Sequence, residues 1–503
     1  MTTTTLAGPR RSVAGRATLA ALLLLGFYLL GFAIIGTLAA INIAFFANGR
    51  VPVRITIFSV IVAFALLRGM FFVEKRGGAD EITGLAVTDA DEPRLWALIR
   101  EIAQQLGTDP PARVYLVPDV NAFVTQRSKL MGLVPGERIM GIGLPLLHVL
   151  TVDELRGVLA HEFGHYTGGD TRLGPLVYRG RASIGRTIGH LGADSLLATV
   201  FTTYGKLYLR VSQAVSRRQE LDADANAARV AGPAAHASAL RKVHVADPVF
   251  DTFIGRFVQP LWNADARPRA LYAGFEQFHD HPDHEESLAR VAARMEEREG
   301  DRYDSHPALR VRLAALGDVP AEAEDGDRAR TLLADADQVD ERMSLLVSRL
   351  GTESNSLRAV EWDDAAAETM LAPVVRQDQA RLYAAVSTLT GAEPTVGAAL
   401  DLVEAGRVVE LATAIDQRVA TVPEEDRLEV SNDLVADLLA GAVGAALTTE
   451  RGWRWGLRWS GPAALVAPTG KPWDYGKAVY DAVGDPANLP ALRKKLRATG
   501  IAA

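Results

Sequence analysis

The chain has 503 residues, 48% of them hydrophobic and 23% charged, which excludes a largely disordered or fibrous protein and is too long for one compact core. It contains no cysteine, which excludes disulfides, thiolate zinc clusters, iron–sulfur centres and cysteine nucleophiles, so any metal must be held by His, Asp or Glu. Residues 1–76 hold eight Arg or Lys against one acid, Glu74; with −7 overall, this leaves −14 on the remainder, an acidic body with no electrostatic footprint for nucleic acid.

No charge occurs from residue 17 to residue 49, and this apolar run exceeds the ~20 residues that cross a bilayer, so a transmembrane helix is expected over about 17–47. A cleaved signal peptide is the competing reading, but its apolar region runs only about 7–15 residues before a small-residue cleavage site. A second apolar run, 55–73, is interrupted by Arg68 near its end, where a long side chain can reach the interface. The short connector "NGRVPVR" makes residues 1–76 a membrane-anchoring helical hairpin embedded in the lipid bilayer. Arg10, Arg11, Arg16, Arg68, Lys75 and Arg76 at its two ends outnumber Arg50 and Arg54 in the connector, so the positive-inside rule predicts a multi-pass protein of the cell membrane with a cytoplasmic body.

Past the anchor, "DEPRLWALIREIAQQLG" has Leu95, Leu98, Ile99, Ile102 and Leu106 on one stripe and reads as an amphipathic helix. "ARVYLVPD", "NAFVTQ" and "ERIMGIGLPLL" are short β-like runs divided by Pro, Asp and Gly, so a small sheet is expected. "TVDE" is a capping box: Thr151 and Glu154 can satisfy each other's backbone amides and start the helix "ELRGVLAHEFGHY". Residues 173–215 are cut by charges, and their longest uncharged piece, 195–205, is too short to span a bilayer; helices that are soluble or lie against the membrane surface are expected. An acidic segment with Pro and Gly, "GDVPAEAEDGDRAR", suggests a boundary near residue 320, with mainly helical patterns and a hairpin-like "GWRWGLRWSGPAALVAPTG" beyond it.

The chemistry lies in "LAHEFGHYTGGD". On a helix, His161 and His165, four apart, aim their imidazoles at one point, with Glu162 beside that face. A zinc ion held there keeps a position for water and lowers its pKa toward ~7, and Glu162 can take the proton as water attacks a carbonyl. The competing reading is coincidence, since a five-residue pattern arises by chance and needs a third ligand. "SRRQELDADANAA" supplies a candidate: Glu220 can complete a His, His, Glu set, and Asp224, four residues on, can bond the other ring nitrogen of a ligand histidine. For that pair alone, a solvated acidic face is the competing reading.

"DELRGVLAHEFGH", "SRRQELDADANAA" and "DSHPALRVRLAAL", in this order and spacing, resemble the integral-membrane gluzincin family of the HtpX heat-shock protease and the CaaX prenyl protease, over roughly residues 80–317. The resemblance implies His161, His165 and Glu220 as ligands of one Zn2+ per chain, Glu162 as general base and Asp224 behind the ligands. It implies His306 and Arg312 as donors to the developing oxyanion, although Arg312 has a second reading as a carboxylate partner within the fold. "NAFVTQ" resembles the family's edge strand, on which an extended peptide pairs by strand addition, with Asn121 holding a substrate amide; for Ala122 and Phe123, strand core is the competing reading. The implied activity is zinc endopeptidase action on peptides or membrane proteins, in a quality-control setting, with trimming of lipidated or prenylated peptides and a non-catalytic zinc scaffold as the rivals. Members such as HtpX carry further membrane spans between the second histidine and the glutamate ligand, for which residues 173–215 look too polar.

The expected fold class is thus α+β and mostly α-helical: an anchor over 1–76, a zincin-like domain with a small sheet over 77–320, and an accessory mainly helical domain over 321–503. Two features are read as structural. "FHDHPDHEE", with His279, His281 and His284, is read as a polar loop rather than a second metal site. Trp453 and Trp455 are read as core of the accessory domain.

Overall fold

The computed structural model describes residues 10–71, 82–129, 134–167, 174–191, 195–298, 307–317, 319, 326–352, 357–461 and 463–503. They form two compact units, one from the chain up to Pro248 together with Ser287–Ala336, the other from Val249–Glu286 with Asp337–Ala503. The division therefore falls at 336/337, not near 320, and residues 249–286 join the second unit. The acidic segment reads as a linker, but the chain beyond it returns to the first unit. Thr151 and Arg328 form an isolated β-bridge, the Ala334 amide donates to Glu92 Oε2 at 2.6 Å, and Arg94 donates to the Leu333 carbonyl at 2.6 Å.

The first unit opens with helices α1 (Arg10–Ala47) and α2 (Val53–Phe71). Both are long and apolar enough to cross a membrane, and only 22% and 28% of their apolar windows are buried. In lipid the backbone must satisfy its own polar groups, which a continuous helix does. Near the connector, Asn42 Nδ2 donates to Ser59 Oγ at 2.8 Å and Thr56 Oγ1 donates to Asn42 Oδ1 at 2.7 Å; at the other end Tyr28 and Phe71 stack 5.5 Å apart.

Strands β1 (Leu85–Val87), β2 (Arg113–Val117), β3 (Ala122–Lys129) and β4 (Val134–Gly143) form a sheet of order β1-β2-β4-β3, with helix α3 (Pro93–Gln105) between the first two in sequence. The β2–β4 pair is parallel and the others antiparallel, so β3 is an edge. Helix α3 buries Leu95, Leu98, Ile99 and Ile102, the stripe its sequence predicts. Helices α4 (Leu144–Val149) and α5 (Val152–Thr167) follow, then α6 (Gly174–Leu191), α7 (Leu196–Ala231), α8 (Pro233–Phe253) and, after an excursion into the second unit, α9 (Leu309–Leu316).

Helices α6 and α7, in a stretch expected to hold helices that are soluble or lie against the membrane surface, pack along the anchor. Ile184, Phe201 and Tyr208 share a buried cluster with Ala20, Leu24, Phe27, Val62 and Leu66. Tyr204 Oη donates to the Leu23 carbonyl at 2.5 Å, and Ser183 Oγ to the Met70 carbonyl at 3.0 Å. Of the charges that interrupt the sequence, Lys206 and Arg210 are exposed, while Arg181 is half-buried and donates to Ser212 Oγ at 3.3 Å.

The second unit is built around the helix Glu424–Arg451, which buries Val435, Leu439, Val443 and Leu447. That helix is also long and apolar enough to cross a membrane, yet 67% of its apolar window is buried inside the protein, the reverse of α1 and α2. The hairpin-like stretch is a three-stranded antiparallel sheet, Arg454–Gly456, Ala464–Val466 and Pro472–Trp473. Trp455 is buried in the core and Trp453 packs against it, as their shared face implies.

Candidate metal centre

Helix α5 begins as its capping box demands. The Thr151 amide donates to Glu154 Oε2 at 2.8 Å and the Glu154 amide to Thr151 Oγ1 at 3.3 Å, satisfying amides that a helix start leaves orphaned. Glu154 is fully buried and also accepts from Ser238 Oγ (2.6 Å) and Lys242 Nζ (2.8 Å) of α8, which fixes the α5 entry against a second helix. Leu155, Leu159 and Phe163 are buried on one face. On the opposing face α7 comes close: a Cβ on Gly164 would lie 3.0 Å from Ala223 Cα, so any larger pair of residues would push the two helices apart.

That approach brings three donors together. His161 Nε2 is 3.5 Å from Glu220 Oε2, His165 Nε2 is 3.7 Å from Glu220 Oε1, and the ligand atoms of all three lie within 4.8 Å of one another. Two N or O ligands each ~2.1 Å from one tetrahedral ion are separated by about 3.4 Å, so the set fits a single divalent metal with little adjustment. The donors are two imidazoles and a carboxylate, the chemistry of a borderline ion rather than of calcium or magnesium. His161 and Glu220 are buried while His165 and Glu162 are half-buried, so the cluster opens on the His165–Glu162 side.

Behind the cluster is a charged network with almost no solvent exposure. Asp224 Oδ1 is 2.9 Å from His161 Nδ1, 3.0 Å from His236 Nε2 and 2.7 Å from Arg312 Nη2, while Oδ2 accepts from Arg312 Nε at 2.9 Å. Burial alone would raise the Asp224 pKa, but the bonds from Arg312, His161 and His236 outweigh it and hold the carboxyl far below the carboxylate range. The network assigns Nδ1–H of His161 as donor to Asp224, which leaves Nε2 for a metal. In the metal-free site, burial opposes a charge on His161, but hydrogen bonds to Asp224 and Glu220 override it and raise its pKa to about 9. His236 goes the other way: burial lowers its pKa more than Asp224 raises it, so it is neutral and donates from Nε2. Its Nδ1 is buried with no hydrogen-bond partner among the described residues. For Arg312, burial is again the opposing effect, and Asp224 raises its pKa over it.

Of the residues singled out in the sequence, the structure gathers His161, His165, Glu162, Glu220, Asp224 and Arg312. Arg312 sits as its second reading describes, holding Asp224 in a fork through Nε and Nη2, with Nη2 also 3.3 Å from His161 Nδ1. His306 lies outside the described residues. Asn121, exposed just before the edge strand β3, accepts from the Gly143 amide at 2.7 Å; Ala122 and Phe123 are half-buried, with the Phe123 ring covering Gly141 of β4. His279, His281 and His284 belong to no group able to hold a metal among the described residues; each makes a local hydrogen bond in a helix-to-turn junction. The residue that sequence reading misses is His236, twelve positions after Asp224 and on another helix. No periodic or motif signal links the two, and only the α7–α8 turn brings them together.

A helix with two histidines four apart, a glutamate from a second helix and a buried Asp–Arg pair behind them define the chain as a metallopeptidase-type fold with its site on paired helices. Residues 89–319 match the family described as Peptidase family M48. The chain is 33% identical over 171 residues to a "Protease HtpX homolog" of Paenarthrobacter aurescens, covering 31% of this chain and 56% of the relative. It is 31% identical over 185 residues to one of Pyrococcus abyssi (32% and 59%), and 30% identical over 221 residues to one of Tropheryma whipplei (40% and 72%). The chain belongs to peptidase family M48, of the HtpX type. It spans a little over half the length of the first two relatives. No solved structure matches it.

Proposed function

We propose that this protein is a membrane-anchored, zinc-dependent endopeptidase with its site on the cytoplasmic side. The observation that carries the reading is the convergence of His161, His165 and Glu220 on one point, with Glu162 on the open side of the cluster. When bound, zinc would act as Lewis acid and lower the pKa of a coordinated water toward ~7. Glu162, on the same helix as both histidine ligands, takes the proton from the attacking water and returns it to the leaving amine. Asp224 fixes the His161 tautomer, and Arg312 and His236 fix Asp224. Strand β3 at the edge of the sheet, with α5 packed against it, is where an extended peptide would add as a further strand, Asn121 standing at its start.

Membrane-protein quality control suits a site tied to α1 and α2. The test is cleavage of an unstructured casein substrate by the full chain in detergent. Chelation should abolish cleavage and added Zn2+ should restore it; cleavage that survives complete metal removal contradicts the proposal.

A further inference from the structure

Between α6 and the first half of α7 lies a cavity of about 300 Å³ that plays no part in the metal site. Its wall is hydrocarbon from Ile184, Ile188 and Leu209, together with two cations, Arg181 and Lys206, and no acid lines it. Gly205 keeps it open: a Cβ there would press on Ile184 at 3.0 Å. Arg181 donates only to neutral groups, Ser212 Oγ at 3.3 Å and Ser216 Oγ at 3.2 Å, and exposed Lys206 has no acidic partner among the described residues. Among the described residues, neither cation is paired with an acid.

The depth of the cavity follows from the helix register. The 19 residues of α2 span about 28 Å, close to the ~30 Å hydrocarbon core of a bilayer. The far end of α2 meets α1 at Tyr28, where the Phe71 ring lies 5.5 Å away. Helix α7 meets α1 beyond that point: Phe201 meets Phe27 edge to face, Tyr204 donates to the Leu23 carbonyl, and Tyr208 shares the Gly180 contact with Leu24. Lys206 lies between Tyr204 and Tyr208, about four residues or roughly 6 Å past the level at which α2 ends and toward the charged start of α1, from where its long side chain reaches the headgroup layer. Ile188 and Thr202 lie nearer the tip of the α6–α7 pair, on the slab side. The cavity thus has its basic end at headgroup level and its apolar end toward the hydrocarbon. Leu207, Val200 and Leu196, 48%, 41% and 81% exposed, extend the apolar surface along the same helix.

The geometry points to a binding site for one anionic phospholipid, an acyl chain in the cavity and the phosphate between Lys206 and Arg181. Basic pockets between membrane helices bind acidic headgroups in this manner. The inference rests on the two-span anchor and is independent of the peptidase reading.

The test uses the full chain in detergent, with lipid binding followed by native mass spectrometry. Dioleoylphosphatidylglycerol should bind about tenfold tighter than dioleoylphosphatidylcholine. Lys206→Gln should reduce that preference, Arg181→Gln with Lys206→Gln should abolish it, and Thr202→Trp should block both lipids, each without lowering the melting temperature. Glycerol 3-phosphate at equal concentration should not displace the lipid. Equal binding of the two lipids by the unmodified chain, selectivity that survives the double substitution, or displacement by glycerol 3-phosphate would overturn the proposal. Extraction of the chain from membranes by alkaline carbonate would contradict the anchor itself, a separate outcome from lost selectivity in a chain that stays embedded.

Discussion

The 36-residue helix α7 divides into two regions that obey opposite rules. Its first half, Leu196 to about Ser212, packs aromatic and small residues against α1 and keeps its charges at the surface. Its second half buries charge instead: Glu220 and Asp224 are almost wholly enclosed, and every partner of Asp224 is itself buried. Enclosing a carboxylate costs several kcal/mol unless it is paired and fully hydrogen-bonded, so the second half is held by a few irreplaceable contacts and the first by many interchangeable ones.

A matched pair of substitutions would break or sharpen that contrast. Asp224→Asn removes the charge opposite buried Arg312 and should destabilise the first unit by ~3–5 kcal/mol. Tyr204→Phe, which deletes one hydrogen bond in the first half, should cost only ~1 kcal/mol. Chemical denaturation of the detergent-solubilised chain checks both, and comparable losses would show that the two halves are not held differently. Within the charged half, His236→Phe should weaken Zn2+ affinity about 10–100-fold in chelator competition while leaving the metal-free melting temperature close to the native value. His236→Gln, which can still donate to Asp224, should recover much of that affinity; equal affinity in all three proteins would reduce His236 to packing.

A smaller effect concerns pH. The His161 pKa of about 9 in the metal-free site stands above its ordinary ~6.5, so its contribution to stability is fully present below ~6.5 and is lost as pH rises through about 9. Metal-free protein should therefore lose melting temperature from pH 6.5 to 9. The zinc-loaded form should not share this slope, because a ligand His161 is already neutral. Parallel pH profiles for the two forms would contradict the assignment.

The same contrast explains what the sequence discloses. The Thr151–Glu154 box, the His161–His165 pair and the Glu220–Asp224 pair are legible because a fixed chemistry on a helix enforces fixed spacing, and each takes the geometry its spacing predicts. The amphipathic stripe of α3 is legible for the same reason. Residues 174–212 are harder to read: their polar interruptions look incompatible with burial, yet one apolar face per helix, built from Ile184, Phe201 and Tyr208, is enough to pack on α1 and α2. His236 and the return of 326–334 onto α3 and α5 rest on contacts between residues far apart in the chain, which leave no local pattern.

The central claim is that the helix carrying both histidines also carries the base. Glu162→Gln keeps the shape of the side chain and the cluster of His161, His165 and Glu220 but removes the carboxylate. Measured side by side on the full chain, zinc content should stay at the native level while casein cleavage falls at least ~100-fold; cleavage at the native rate with zinc retained would contradict the account.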